Sequence, residues 1–104
     1  MCRKLRRAAK VDDNQKEIVE GLRKFGASVL ITSQLKNCFD ILVGYKGVNY
    51  IMEIKDGKKP PSQRKLSEGE QKFKDSWKGG EYYVVLSLEQ AIKIINDNFK
   101  INKL

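Results

Sequence analysis

Two short stretches, Phe39-Asp40-Ile41-Leu42-Val43-Gly44-Tyr45 and Tyr50-Ile51-Met52-Glu53-Ile54-Lys55, flank a Lys46-Gly47 turn and constrain this chain more than any other feature. Paired as a hairpin, they place Phe39 opposite Ile54, Ile41 opposite Met52 and Val43 opposite Tyr50, which makes one face wholly apolar. That face belongs in a core. The other face then pairs Asp40 with Glu53, Leu42 with Ile51 and Cys38 with Lys55. A slip of one residue would set Asp40 against Ile54 and Phe39 against Lys55, so the hydrophobic pattern itself selects the first register.

Two carboxylates directly opposed in a sheet have Cβ atoms roughly 5 Å apart and repel, so a cation is expected between them. A hard divalent ion such as magnesium suits the geometry, because it accepts one or two carboxylates and completes its shell with waters and phosphate oxygens. Lys55, two residues beyond Glu53, shares its face. It could position an attacking water or neutralise charge building on a phosphate. The simpler alternative is that Lys55 bridges both acids as an ion pair at a solvated strand end.

With 104 residues and 40% hydrophobic content, the chain can build one core and not two, so a single domain over residues 12–104 is expected behind a basic arm at 1–11. Cys2 and Cys38 are the only cysteines and there is no histidine, which excludes a Cys/His zinc site of usual ligand count and every Ser-His or Cys-His nucleophile. A hydrolase made from this chain must work with carboxylates, lysine and metal. Lys and Arg outnumber Asp and Glu by 21 to 13, concentrated at Arg3, Lys4, Arg6, Arg7 and Lys10 and again at Lys58, Lys59, Arg64 and Lys65. Such clustering is the footprint of a polyanion binder, though a solubilising surface with a loose tail has the same composition. No apolar run approaches a membrane span and the basic start lacks a signal peptide's apolar stretch, so no membrane partner and a soluble, cytoplasmic protein are expected.

Along the chain, Asp12 and Gln15 suggest a capping-box-like start to a helix over about 13–25, with Ile18, Val19, Leu22 and Phe25 at helical spacing and Gly26 as its stop. Strands are expected at 28–32, 39–45, 50–55 and 82–86. The polar segment 56–66, with Pro60-Pro61, predicts a mobile basic loop running out of the acid pair. Ser67 with Glu70 marks a capping box for a helix through about Trp77, and Ser87 with Gln90 starts a last helix carrying Leu88, Ala91, Ile92, Ile95 and Phe99 on one stripe. The order is α-β-β-β-α-β-α in an α/β domain. Trp77 and the tyrosines, Tyr82 among them, are expected in the core or at its rim, with no site role.

Taken in order, Asn14-Gln15-Lys16-Glu17-Ile18-Val19, the segment Phe39 to Tyr45, Met52-Glu53-Ile54-Lys55-Asp56-Gly57 and Leu66-Ser67 through Trp77 resemble the PD-(D/E)xK nuclease superfamily. Within it, the chain is similar to the virus-type VRR-NUC nucleases, with likeness to archaeal Holliday junction resolvases, over about residues 12–96. The resemblance implies a single restriction-endonuclease-like domain, a central mixed sheet flanked by helices. It implies metal bound by Asp40, Glu53 and the Ile54 carbonyl, magnesium or manganese as the ion, and Lys55 as the catalytic lysine. The proline usual before the first acid is Phe39 here. Where the family often has a glutamate in the opening helix, Gln15 stands at the matching distance before Gly26, either as a weaker ligand or as a cap partner of Asp12. Gln71 matches a family glutamine in the helix after the basic loop, with Glu70 fitting almost as well.

The implied activity is metal-dependent endonucleolytic hydrolysis of DNA, selective for branched or nicked structures. Lys58, Lys59, Arg64, Lys65, Gln71, Arg6 and Arg7 would hold nucleic acid, the basic ones through phosphates. A homodimer is implied by analogy, because so small a domain covers few base pairs. The alternatives are a non-catalytic nucleic-acid-binding module and an accessory subunit of a larger replication or restriction protein.

Overall fold

The structure, a computed structural model, describes residues 12–103, and of 98–103 the backbone alone. The expected arm over 1–11, with Arg6 and Arg7, lies outside the described residues. Helix α1 spans Gln15–Phe25, followed by strands β1 at Ser28–Ile31, β2 at Ile41–Tyr45 and β3 at Val48–Ile54. A 3-10 turn at Pro61–Gln63 leads to α2 at Glu68–Ser76, β4 at Tyr82–Val85 and α3 at Leu88–Lys103.

The hairpin fixes the rest. Lys46 and Gly47 have φ of 52° and 83°, the left-handed pair of a type I′ turn whose twist matches that of the flanking strands. It sets Ile41 against Met52, Leu42 against Ile51 and Val43 against Tyr50, the register the apolar pattern selects. β1 adds antiparallel to β2 and β4 adds parallel to β3, giving a mixed four-stranded sheet in the order β1-β2-β3-β4.

Ile41, Val43, Tyr50, Met52, Ile54 and Val85 share one face of this sheet. They pack against Ile18, Val19 and Leu22 of α1 and Ala91 and Ile95 of α3, all buried. Each large apolar side chain removed from water contributes about 1.5–3 kcal/mol, so this layer is the main stabilising element. The opposite face carries Asp40 and Glu53 and is covered in part by α2, whose Phe73 ring lies 5.9 Å from Phe39, 6.0 Å from Tyr82 and 5.3 Å from Trp77.

α1 starts two residues later than the Asp12 signal suggests. Its N-cap is Asn14, which makes no side-chain cap bond. Instead the Asn14 amide Nδ2 donates to the carbonyls of Lys55 at 3.3 Å and Leu86 at 3.2 Å, tying the ends of β3 and β4 together. Asp12 is turned toward Lys59, 3.7 Å away, and forms no capping box with Gln15. No helix of the described residues is long and apolar enough to cross a membrane.

Candidate active site

Asp40 precedes β2 yet is held by the ladder: its N–H donates to the Met52 carbonyl at 3.1 Å and its carbonyl accepts the Thr32 N–H at 2.8 Å. Its side-chain Oδ2 accepts the Ile54 N–H at 2.8 Å, which aims the carboxyl across the hairpin toward Glu53. The charges of the two carboxyls act on each other across the hairpin. Strand alternation brings Lys55 to the same face, where its Nζ is 3.5 Å from Glu53 Oε2 and 3.2 Å from Glu70 Oε1.

Glu53 is 3% exposed, one of two polar or charged residues buried among those described, the other being Gln15. Burial, then the charge of Asp40, push its carboxyl up to about 9, against the opposing pull of Lys55. Asp40 is raised as well, again by burial, with the Ile54 N–H acting in the other direction. The pair therefore holds a proton at neutral pH when no cation stands between its members. Burial also acts to raise Glu70, but the Ser67 N–H, Glu53 and the Lys55 ammonium hold it below its usual range. Burial acts to lower Lys55, and the two glutamates overcome it and raise it.

Two side chains of the site were not fixed by the sequence, which left Glu70 as an alternative to Gln71 and gave Tyr82 no site role. Glu70, rather than Gln71, faces the acids. Gln71 lies on the outer side of α2, where its Nε2 donates to Asp75 Oδ1 at 2.9 Å, and it does not reach the site. Glu70 completes the capping box with Ser67 and at the same time pairs with Lys55. The second is Tyr82, buried in β4, whose hydroxyl donates to the Cys38 carbonyl at 2.9 Å and sits 3.4 Å from Glu53 Oε1. Both could be found from the sequence only by knowing how α2 and β4 dock.

A cleft of about 330 Å³ opens over the acids. One wall comes from the β1–β2 loop through Leu35, Lys36 and Asn37, the other from Lys65, Ser67 and Glu70. Lys65 thus reaches the site. Lys59 pairs with Asp12 at the cleft edge, Lys58 lines a neighbouring hollow with Asp13, Asn14 and Glu17, and Arg64 is half-buried with its Nε unpartnered. Gln15 is 5% exposed on the stripe of Ile18, Val19 and Leu22 and does not line the cleft. Its Nε2 donates to Ser33 Oγ at 3.2 Å and its Oε1 has no partner.

Among the described residues no group of three His, Cys, Asp or Glu stands at ligand spacing, so a cation here would have Asp40 and Glu53 as its side-chain donors. No protein-family model, curated protein or solved structure matches the chain.

Proposed function

We propose that this chain is a metal-dependent nuclease of the PD-(D/E)xK kind that hydrolyses DNA phosphodiester bonds, with Asp40, Glu53 and Lys55 at its centre. The observation that carries the proposal is Glu53, buried at 3% exposure, set beside the half-buried Asp40 with the Lys55 ammonium 3.5 Å away. A purely structural sheet gains nothing by burying one acid beside another, whereas a cation site needs them there. The mixed sheet, with β4 parallel to β3 after an intervening helix, supports a restriction-endonuclease-like fold.

The donor set fits magnesium or manganese: two hard carboxylates from the chain, with the Ile54 carbonyl as a further oxygen, leaving positions for water and phosphate. Bound there, the ion would polarise the phosphoryl group and make water more acidic. Asp40, fixed by the Ile54 N–H, and Glu53, beside the Tyr82 hydroxyl, would hold it. Lys55, oriented by Glu70, places the attacking water or offsets charge on the phosphate as the water oxygen bonds to phosphorus. The bond to the leaving sugar oxygen breaks, that oxygen takes up a proton, and the water's proton passes to solvent. Lys58, Lys59, Arg64 and Lys65 flank the centre and contact phosphates without reading sequence. In the dimer this reading includes, Leu30 and Ile31 of edge strand β1, 60% and 47% exposed, would be covered by a second copy; a monomer in sedimentation at micromolar concentration would refute that part.

The test is cleavage of labelled linear, nicked, flapped and four-way-junction DNAs with magnesium, manganese or chelator, using wild type beside Lys55→Ala. Metal-dependent cutting that the substitution abolishes supports the nuclease. Binding without cutting under every condition would replace it with a non-catalytic module.

A further inference from the structure

We infer that the cleft over Asp40 and Glu53 accepts the free end of a single nucleic-acid strand, and that duplex and covalently closed strands are kept from the acids by its walls. The inference deepens the nuclease reading and rests on it.

Depth and size come first. The side chains of Glu53 and Lys55 are 4% and 14% exposed, so a phosphodiester must descend to them. A space of about 330 Å³ is near the lower limit for ligand pockets. A B-form duplex, whose major groove alone is about 12 Å wide, does not fit into it. One unpaired nucleotide does.

One side of the cleft is shut. Asn37, at φ 59° in the β1–β2 loop, lays its amide against Gly69 of α2 so closely that a Cβ at Gly69 would collide with it. The same loop is pinned below by the Tyr82 hydroxyl on the Cys38 carbonyl, and Phe39 lies against Phe73 of α2. The two walls therefore meet on the α2 side. A strand passing through would need an exit there, whereas a strand that ends in the cleft needs only its entrance. The lining suits such a terminus: Lys36 and Lys65 stand on opposite walls for phosphate, and Leu35, 51% exposed at the rim, offers an apolar surface to a base.

The test compares a linear single strand, the same strand ligated into a circle, and its blunt duplex, each with magnesium or manganese. The linear strand should be degraded from an end, and the circle and duplex cut at least about tenfold more slowly, a discrimination within reach of pocket contacts. Asn37→Gly suits the positive φ and removes the amide that meets Gly69, so it should narrow the gap between circle and linear strand. A second measurement needs no catalysis. In a Cys2→Ser background, alkylation of Cys38, which lines the cleft, should be slowed by the linear strand in chelator and left unchanged by the circle. Equal cutting of circle and linear strand, or equal protection of Cys38 by both, overturns end entry while leaving the nuclease intact. Selective protection with no cutting of any strand keeps end entry and removes the nuclease.

Discussion

Replacing Glu53 with Gln should make the metal-free protein more stable while abolishing cleavage, and the gain should depend on pH in a way the structure specifies. The Glu53 carboxyl is raised from 4.5 to about 9 by burial and by Asp40. A group whose pKa rises on folding contributes stability that is fully present below its unfolded value and is lost as pH climbs through its folded value. Each pH unit in that window costs about 1.4 kcal/mol, so by pH 7 the wild type has lost about 3 kcal/mol relative to pH 4. Gln cannot ionise and keeps the shape of the protonated acid, so Glu53→Gln should match wild type near pH 4 and exceed it by up to that amount at pH 7. At about 4–8 °C per kcal/mol for a domain of this size, Tm should rise by up to about 12–24 °C in chelator. Magnesium should then stabilise wild type, by about 2.7 kcal/mol at a hundredfold excess over Kd, and leave the variant unmoved. Thermal unfolding at pH 4 and pH 7, with chelator and with magnesium, reads all of this. A variant no more stable than wild type at pH 7, or one that magnesium stabilises equally, would refute the reasoning.

Glu70→Gln retains the capping box, since glutamine serves at that position, so stability should change by less than about 1 kcal/mol. Lys55 loses one of the two charges that raise it, so the alkaline limb of the cleavage profile should move to lower pH; an unmoved limb would assign Glu70 to the cap alone. Tyr82→Phe should cost about 1 kcal/mol and speed alkylation of Cys38, whose carbonyl loses its donor, and an unchanged alkylation rate would show that the hydroxyl does not hold the loop. Neutralising Lys58, Lys59, Arg64 and Lys65 together should lower the salt slope of DNA binding by up to about 3, given roughly 0.7–0.9 per phosphate contact. A preserved slope would place the phosphates elsewhere on the protein.

The hairpin was legible because its face assignment is binary. Once Ile41, Val43, Tyr50, Met52 and Ile54 claim the core, Asp40, Glu53 and Lys55 have only the other face, and no knowledge of the remaining fold is required. α1 was legible through Ile18, Val19 and Leu22, but its first turn was not, because Asn14 caps two strand ends instead of its own helix and Asp12 pairs with Lys59. Both diversions depend on where β3, β4 and the basic loop finish in space. The 3-10 turn at Pro61–Gln63 lay hidden inside a segment whose prolines and charges read only as loop. The wall made by Asn37 and Gly69 involves residues 32 positions apart in sequence and neither has a pattern that announces the other.

Glu70 and Gln71 show why the rest of the site stayed hidden. Adjacent helical residues point about 100° apart, so choosing between them requires the side of α2 that meets the sheet. An amphipathic stripe normally supplies it, but α2 buries none of its residues and has no such stripe to read. The orientation comes instead from Phe73, wedged between Phe39 and Tyr82, and Glu70 lies one turn before Phe73 on the same side, whereas Gln71 is turned away. The capping rule explained Glu70 completely as a local residue, and for that reason it concealed the contact with Lys55. The same carboxylate oxygen, Oε1, accepts both the Ser67 N–H and the Lys55 ammonium. The start of α2 and one of the two ion pairs of Lys55 thus share one atom, so a shift of the helix would loosen the lysine's place beside Glu53.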